Sequence, residues 1–183
     1  MPPRMISKAS LLASSGLWQS LTARAFSVSR RRSAANQIYA SVRRPDDFHT
    51  YQLLSSSSRT PLITLWTTSW CATCHVIAPL IKSIIESGVG EAEGGVGYCE
   101  VQFDAPDIMS GGLGTEYMIT SIPTLLSFDA GEAQIQTKIA DGRRMADRPF
   151  LEDWIRNEAR RHGNRGGGGG GQGILGGLFG SWK

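Results

Sequence analysis

The sequence predicts a single α/β domain built around a mixed β-sheet, and three observations carry that expectation. The mostly apolar run Leu62-Ile63-Thr64-Leu65-Trp66 leads into a segment whose apolar residues recur at helical spacing, with Val76, Leu80 and Ile84 in one row and Ile77, Ile81 and Ile85 in the next. Extended and helical segments alternate along the chain, as strands do when the helices between them pack back onto a sheet. A tight turn at Asp129-Ala130-Gly131 joins two extended runs, which makes that pair antiparallel and the sheet mixed. With 183 residues and 40% apolar content, the chain can bury one core of ordinary size and still carry appendages.

Taken in order, Gln37 to Val42 reads as a short strand, and Asp46-Asp47 can cap a short helix through Phe48, Tyr51 and Leu54. Ser55 to Pro61 reads as a loop by composition, and Leu62 to Trp66 as a buried strand. The helix after Cys74 contains Pro79, which removes a backbone donor and is expected to bend it. Gly88 to Gly97 reads as an exposed loop, followed by a strand, Tyr98 to Phe103, with Cys99, Val101 and Phe103 on one face and Cys99 as a small core residue. A glycine-rich helical stretch spans about Ile108 to Tyr117. Then come a strand from Thr124 to Phe128, the turn, and a facing strand through Gln134 to Ile139. Asp147 can cap a last helix opening with Arg148-Pro149 and carrying Phe150, Leu151, Trp154 and Ile155 on its apolar side.

Charge divides the chain. Residues 1–44 hold eight Lys or Arg and no acid, whereas the chain beyond Arg32 carries 13 basic against 16 acidic residues. That balance gives no basic footprint for nucleic acid. Residues 1–34 are rich in Arg and Ser, and their apolar residues are interrupted every few positions, so they lack a secretory apolar run or a membrane-spanning length. This composition predicts a disordered mitochondrial transit peptide and a mature protein in the matrix; a basic N-terminal tail is the alternative.

The chemistry centres on Cys71 and Cys74. Their two-residue spacing at the start of a helix sets a dithiol where unpaired backbone N–H groups and the positive end of the helix dipole favour negative charge. Cys71 is therefore expected to ionise more readily than a free cysteine, and the thiolate is the form that attacks disulfides. Cys99 is the third cysteine and has no neighbour in sequence, so a disulfide-stapled scaffold is excluded. A zinc site would need two further ligands from Cys99, His49, His75 and His162, which form no paired ligand motif, so no metal and no cofactor are expected.

Over roughly Gln37 to His162, the chain resembles the thioredoxin family. The resemblance rests on Trp66, Trp70-Cys71-Ala72-Thr73-Cys74, Pro79, Asp104, Tyr117, the string Ser121-Ile122-Pro123-Thr124-Leu125-Leu126-Ser127-Phe128, and Gly131. It implies a thioredoxin fold and a thiol–disulfide oxidoreductase that reduces protein disulfides, with Cys71 as nucleophile and Cys74 as resolving thiol. It also implies a cis Ile122–Pro123 bond facing the dithiol, with Trp70, Ile122, Pro123 and Thr124 as substrate-binding residues. The partners it implies are disulfide-bearing proteins, with a thioredoxin reductase or the glutathione system as electron donor.

The chain departs from that family in three places. Ala72-Thr73 stands between the cysteines where Gly-Pro is usual, a dipeptide that tunes a potential spanning ~100 mV among members of the fold. Leu65 stands six residues before Cys71, where the family keeps a buried Asp that takes the proton of the resolving cysteine. His75 replaces a usual Lys and reads as an exposed helix residue or a proton carrier. These departures leave open a thioredoxin-fold binding module with weak or no turnover.

Residues 163–183 form a separate expectation. Six consecutive glycines, Gly166 to Gly171, predict a flexible linker. Ile174, Leu175, Leu178, Phe179 and Trp182 would share one face if helical, which suits a membrane surface or a partner groove, although Gly176, Gly177 and Gly180 oppose an isolated helix.

Overall fold

A computed structural model describes residues 35–163, so the expected leader and the glycine-rich tail lie outside the described residues. Five strands form one sheet: β1 (Gln37–Ile38), β2 (Leu62–Thr67), β3 (Gly97–Gln102), β4 (Thr124–Asp129) and β5 (Glu132–Ala133). Their order is β1-β3-β2-β4-β5. β3 runs parallel to both β1 and β2, whereas β4 runs antiparallel to β2 and to β5, so the sheet is mixed. The helices are α1 (Pro45–Ser58), α2 (Ala72–Glu86), α3 (Pro106–Ser110), α4 (Leu113–Glu116), α5 (Gly142–Met145) and α6 (Arg148–Gly163).

The two-residue alternation of a strand splits the core in two. On one face Ile63 and Leu65 of β2, Tyr98 of β3 and Leu125 of β4 pack with Ile77, Ile81, Ile84 and Ile85 of α2 and with Leu151, Trp154 and Ile155 of α6. On the other, Leu62, Trp66, Cys99, Val101, Leu126 and Phe128 pack with Phe48 of α1, Ile108 of α3 and Leu113 of α4. An aromatic group anchors this second layer, with Phe48 and Tyr117 each edge-on to Phe128 at 5.3 and 4.9 Å between ring centroids. β2 is buried at all six positions because it is central and covered on both faces. Thr64 tolerates that burial because its hydroxyl donates to Leu126 O at 2.9 Å and accepts from Trp66 Nε1 at 3.0 Å.

Several local expectations change. Ser55 to Ser58 are helical, because the hydroxyls of Ser56, Ser57 and Ser58 donate to carbonyls of the preceding turn. α1 ends instead at Arg59, which takes a left-handed conformation (φ 56°). Leu54 is exposed, and the buried residues of α1 are Phe48, Gln52 and Ser55. The glycine loop is not an exposed excursion, since a Cβ at Gly90 would meet Ile155 and Ala159 of α6 at 3.4 and 3.5 Å. The hairpin after β4 turns on two positive φ values, 53° at Ala130 and 84° at Gly131, a combination that suits the twist of paired strands. β5 pairs for only two residues before a 3-10 turn at Ile135–Thr137, and Ile139 returns to bridge Leu125. α5 was not expected from the sequence; Asp141 caps it by accepting from Arg143 N–H at 2.8 Å. No helix of the described residues is long and apolar enough to cross a membrane.

Candidate active site

β2 delivers the chain from the centre of the sheet to its carboxyl edge, and the turn after it places Cys71 as the N-cap of α2. Cys71 and Cys74 are joined as a disulfide with their Cα atoms 5.2 Å apart. The two sulfurs differ in setting. Cys71 is partly exposed, whereas Cys74 is 3% exposed and joins the inward face of α2. Cys74 N–H points at Cys71 Sγ at 3.0 Å, an unpaired helix-end donor aimed at the outer sulfur. On reduction the same donor and the dipole of a 15-residue helix would stabilise a thiolate at Cys71.

The turn that carries the dithiol is held from below. Asp104 accepts from Ser69 N–H at 3.0 Å, and the Ser69 hydrogen bonds hold the Asp104 carboxyl below its usual range, with burial opposing. His75, exposed on α2, approaches Ser69 O with Nε2 at 3.2 Å; a carbonyl only accepts, so this nitrogen carries the proton. Pro79 lies within α2, which continues through it to Glu86. The buried stripe of α2 is Cys74, Ile77, Ile81, Ile84 and Ile85. Val76, expected on the apolar face, is 65% exposed because one stripe suffices to cover the sheet.

A second segment meets the dithiol turn. The Ile122–Pro123 bond is cis. β4 begins its pairing at Thr124 opposite Trp66, so Ile122 precedes the ladder. A Cβ at Gly142 would lie 3.2 Å from Thr73 Cγ2 and 3.9 Å from Pro123 Cγ, so these three residues converge on one point. Thr124 is buried, and its hydroxyl donates to Ser121 O at 2.6 Å, which braces the turn before Pro123. Trp70 is 74% exposed beside Cys71 in sequence, and Ile122 is half-buried.

A cavity of about 190 Å³ adjoins Cys74; residues of β2, α2 and β3 and of the turn after β2 line it, among them Cys74, His75 and Glu100. Leu65 and Glu100 are register partners across β2 and β3. Leu65 is fully buried in the apolar layer under α2. Strand alternation announces that Glu100 points away from Cys99 and Val101, but the register that sets it beside Leu65 is tertiary and was not legible in the sequence. Gly142 was missed for the same reason. Cys99 is fully buried on the opposite layer, where burial and then Glu100 push its thiol well above the ordinary value, which disfavours its thiolate. Among the described residues, no three His, Cys, Asp or Glu stand together as a metal site.

Comparison with known proteins agrees with this architecture. The family model described as Thioredoxin matches residues 42–155. Thioredoxin M5, chloroplastic, of Oryza sativa subsp. japonica is 36% identical over 76 residues, which are 41% of this chain and 39% of the rice protein. Thioredoxin of Rickettsia felis is 35% identical over 95 residues, covering 51% of this chain and 76% of the bacterial one. Among solved structures, oxidized thioredoxin O1 from Arabidopsis thaliana superposes with a TM-score of 0.52 at 20% identity, over 68% of this chain and 99% of that one. The reduced Schistosoma mansoni thioredoxin pre-protein gives 0.51 at 20% identity, over 67% and 99%. The cysteine pair at the head of α2, the mixed sheet that carries it and the matched span together place this chain in the thioredoxin family.

Proposed function

We propose that this chain is a mitochondrial thiol–disulfide oxidoreductase that reduces protein disulfides through Cys71 and Cys74. The observation that carries the reading is the asymmetry of the pair: one sulfur partly exposed and faced by an N–H at 3.0 Å, the other buried one turn deeper. In the reduced protein the Cys71 thiolate attacks a target disulfide, forming a mixed disulfide and expelling one target thiolate. Cys74 then loses its proton and attacks Cys71 Sγ. The Cys71–Cys74 bond forms, the second target sulfur leaves, and the two electrons of the dithiol have passed to the target.

Trp70 offers a flat apolar surface for docking, and the backbone of Ile122 and Pro123 provides an edge along which an extended substrate segment can pair. A reductase or the glutathione pool would return the site to its dithiol form. Residues 1–34 support import by their acid-free, arginine-rich composition, and the composition beyond Gly163, where α6 ends, supports reading the tail as a linker with a short apolar end.

The test is a trap. Replacing Cys74 with Ser should leave Cys71 joined to target proteins in mitochondria as mixed disulfides that reductant releases. If Cys74→Ser accumulates no Cys71-linked partner while the protein is imported and folded, the reading fails. Leu65 buried in apolar surroundings favours a second reading, a binding module without turnover. In that case Cys71→Ser would support function in vivo as well as the unaltered chain does.

A further inference from the structure

The proposed reaction leaves one requirement unmet. Cys74 must ionise before it can resolve the mixed disulfide, yet it is 3% exposed, and burial in apolar surroundings disfavours a thiolate. On β2, the residue on the α2 side of the sheet at this level is Leu65, which cannot accept a proton.

The neighbouring strand supplies what β2 lacks. Tyr98, Glu100 and Gln102 alternate onto the face opposite Cys99 and Val101, and Glu100 is registered directly across from Leu65. Glu100 is half-buried and lines the same cavity as Cys74. That cavity, about 190 Å³, has room for several water molecules at about 30 Å³ each. Its wall includes Thr68, which is 6% exposed and whose hydroxyl has no protein hydrogen-bond partner, and Gln102 adds a second polar side chain. A buried hydroxyl of this kind needs a partner, and a bridging water with two to four polar neighbours provides one. The other charged or titratable groups facing the cavity are Arg43 and His75. Arg43 cannot accept a proton, and His75, exposed on α2, donates Nε2–H to Ser69 O and keeps Nδ1 as a competing acceptor that the His75→Gln arm of the test separates from Glu100.

We propose that Glu100 is the proton acceptor for the Cys74 thiol, working through water in the cavity the two residues share. The inference rests on the oxidoreductase reading. The proton leaves Cys74 Sγ through the bridge to the Glu100 carboxylate as Cys74 attacks Cys71 Sγ. It passes afterwards to solvent or to a departing target thiolate, so no further reactant is needed.

The experiment follows the two steps separately in the full chain, using a chromogenic aromatic disulfide as probe. Attack by Cys71 is read from the first thiolate released, and resolution from the second. Glu100→Gln keeps the shape and removes the acceptor. It should leave the first step within about twofold and slow the second at pH 7 by about 10²-fold, the low end of general-base effects. The defect should shrink as pH rises to about 9, where hydroxide and solvent suffice, and Glu100→Asp should recover most of the rate. Resolution at the wild-type rate and pH profile in Glu100→Gln overturns the proposal, as does a resolution defect that appears in His75→Gln and not in Glu100→Gln. If the unaltered chain fails at the first step, it is the oxidoreductase reading that falls.

Discussion

Replacing Trp70 with Ala separates docking from chemistry. The side chain is 74% exposed, so of the ~250 Å² an indole presents, roughly 185 Å² faces solvent. If a protein target covers half of that, about 90 Å² of apolar surface leaves water, worth about 2.3 kcal/mol at ~25 cal/mol per Å². That corresponds to about 50-fold in kcat/KM on a protein disulfide. A small substrate such as glutathione disulfide covers little of the ring, so its kcat/KM should change less than about threefold. Stability should stay within about 0.5 kcal/mol, because an exposed ring leaves no cavity when truncated. The assay compares initial rates on the two substrates and the urea midpoint of each protein. Equal losses on both substrates would mean that Trp70 acts on the cysteines themselves, and no loss on either would mean that it does not dock substrate.

Two further predictions address the scaffold. Thr64→Val removes a hydroxyl that bridges Leu126 O and Trp66 Nε1, leaving a buried indole N–H unpaired, and should cost about 1–3 kcal/mol, seen as a lower urea midpoint with an unchanged slope. Asp104→Asn weakens the bond to Ser69. Because the folded carboxyl lies below its ordinary value, the stability it adds is present above the unfolded pKa of about 3.9 and is lost as pH falls through the folded one. The variant should therefore be slightly less stable than the unaltered chain at pH 5 and above, and equal to it at the acid extreme. A difference that grows on acidification would contradict the assignment.

How much of this was legible in the sequence depends on the range of the interaction involved. The apolar run of β2, the inward stripe of α2 from Cys74 to Ile85, and the dithiol at its head are local patterns and could be read directly. Ser55 to Ser58 looked like a loop because serine usually competes with the helix backbone. In α1 three of these hydroxyls bond back to their own helix, and the turn moves to Arg59. The glycines from Gly88 to Gly97 looked exposed by composition. Gly90 instead brings the backbone close against Ile155 and Ala159 of α6, a contact between segments far apart in sequence. Glu100 and Gly142 matter only through cross-strand register and a meeting of three segments, and neither leaves a local signal.

The central claim is that the electrostatics of the α2 N-terminus prime one sulfur, Cys71. Alkylation of the fully reduced protein with iodoacetamide across pH 5 to 10, with the labelled residue located by mass spectrometry, tests it most directly. Cys71 should be labelled first, with a midpoint clearly below the ~8.5 of an unperturbed thiol, while Cys99 stays unlabelled in the folded chain. A midpoint at or above that of free cysteine, with Cys71 no faster than glutathione at neutral pH, would contradict it.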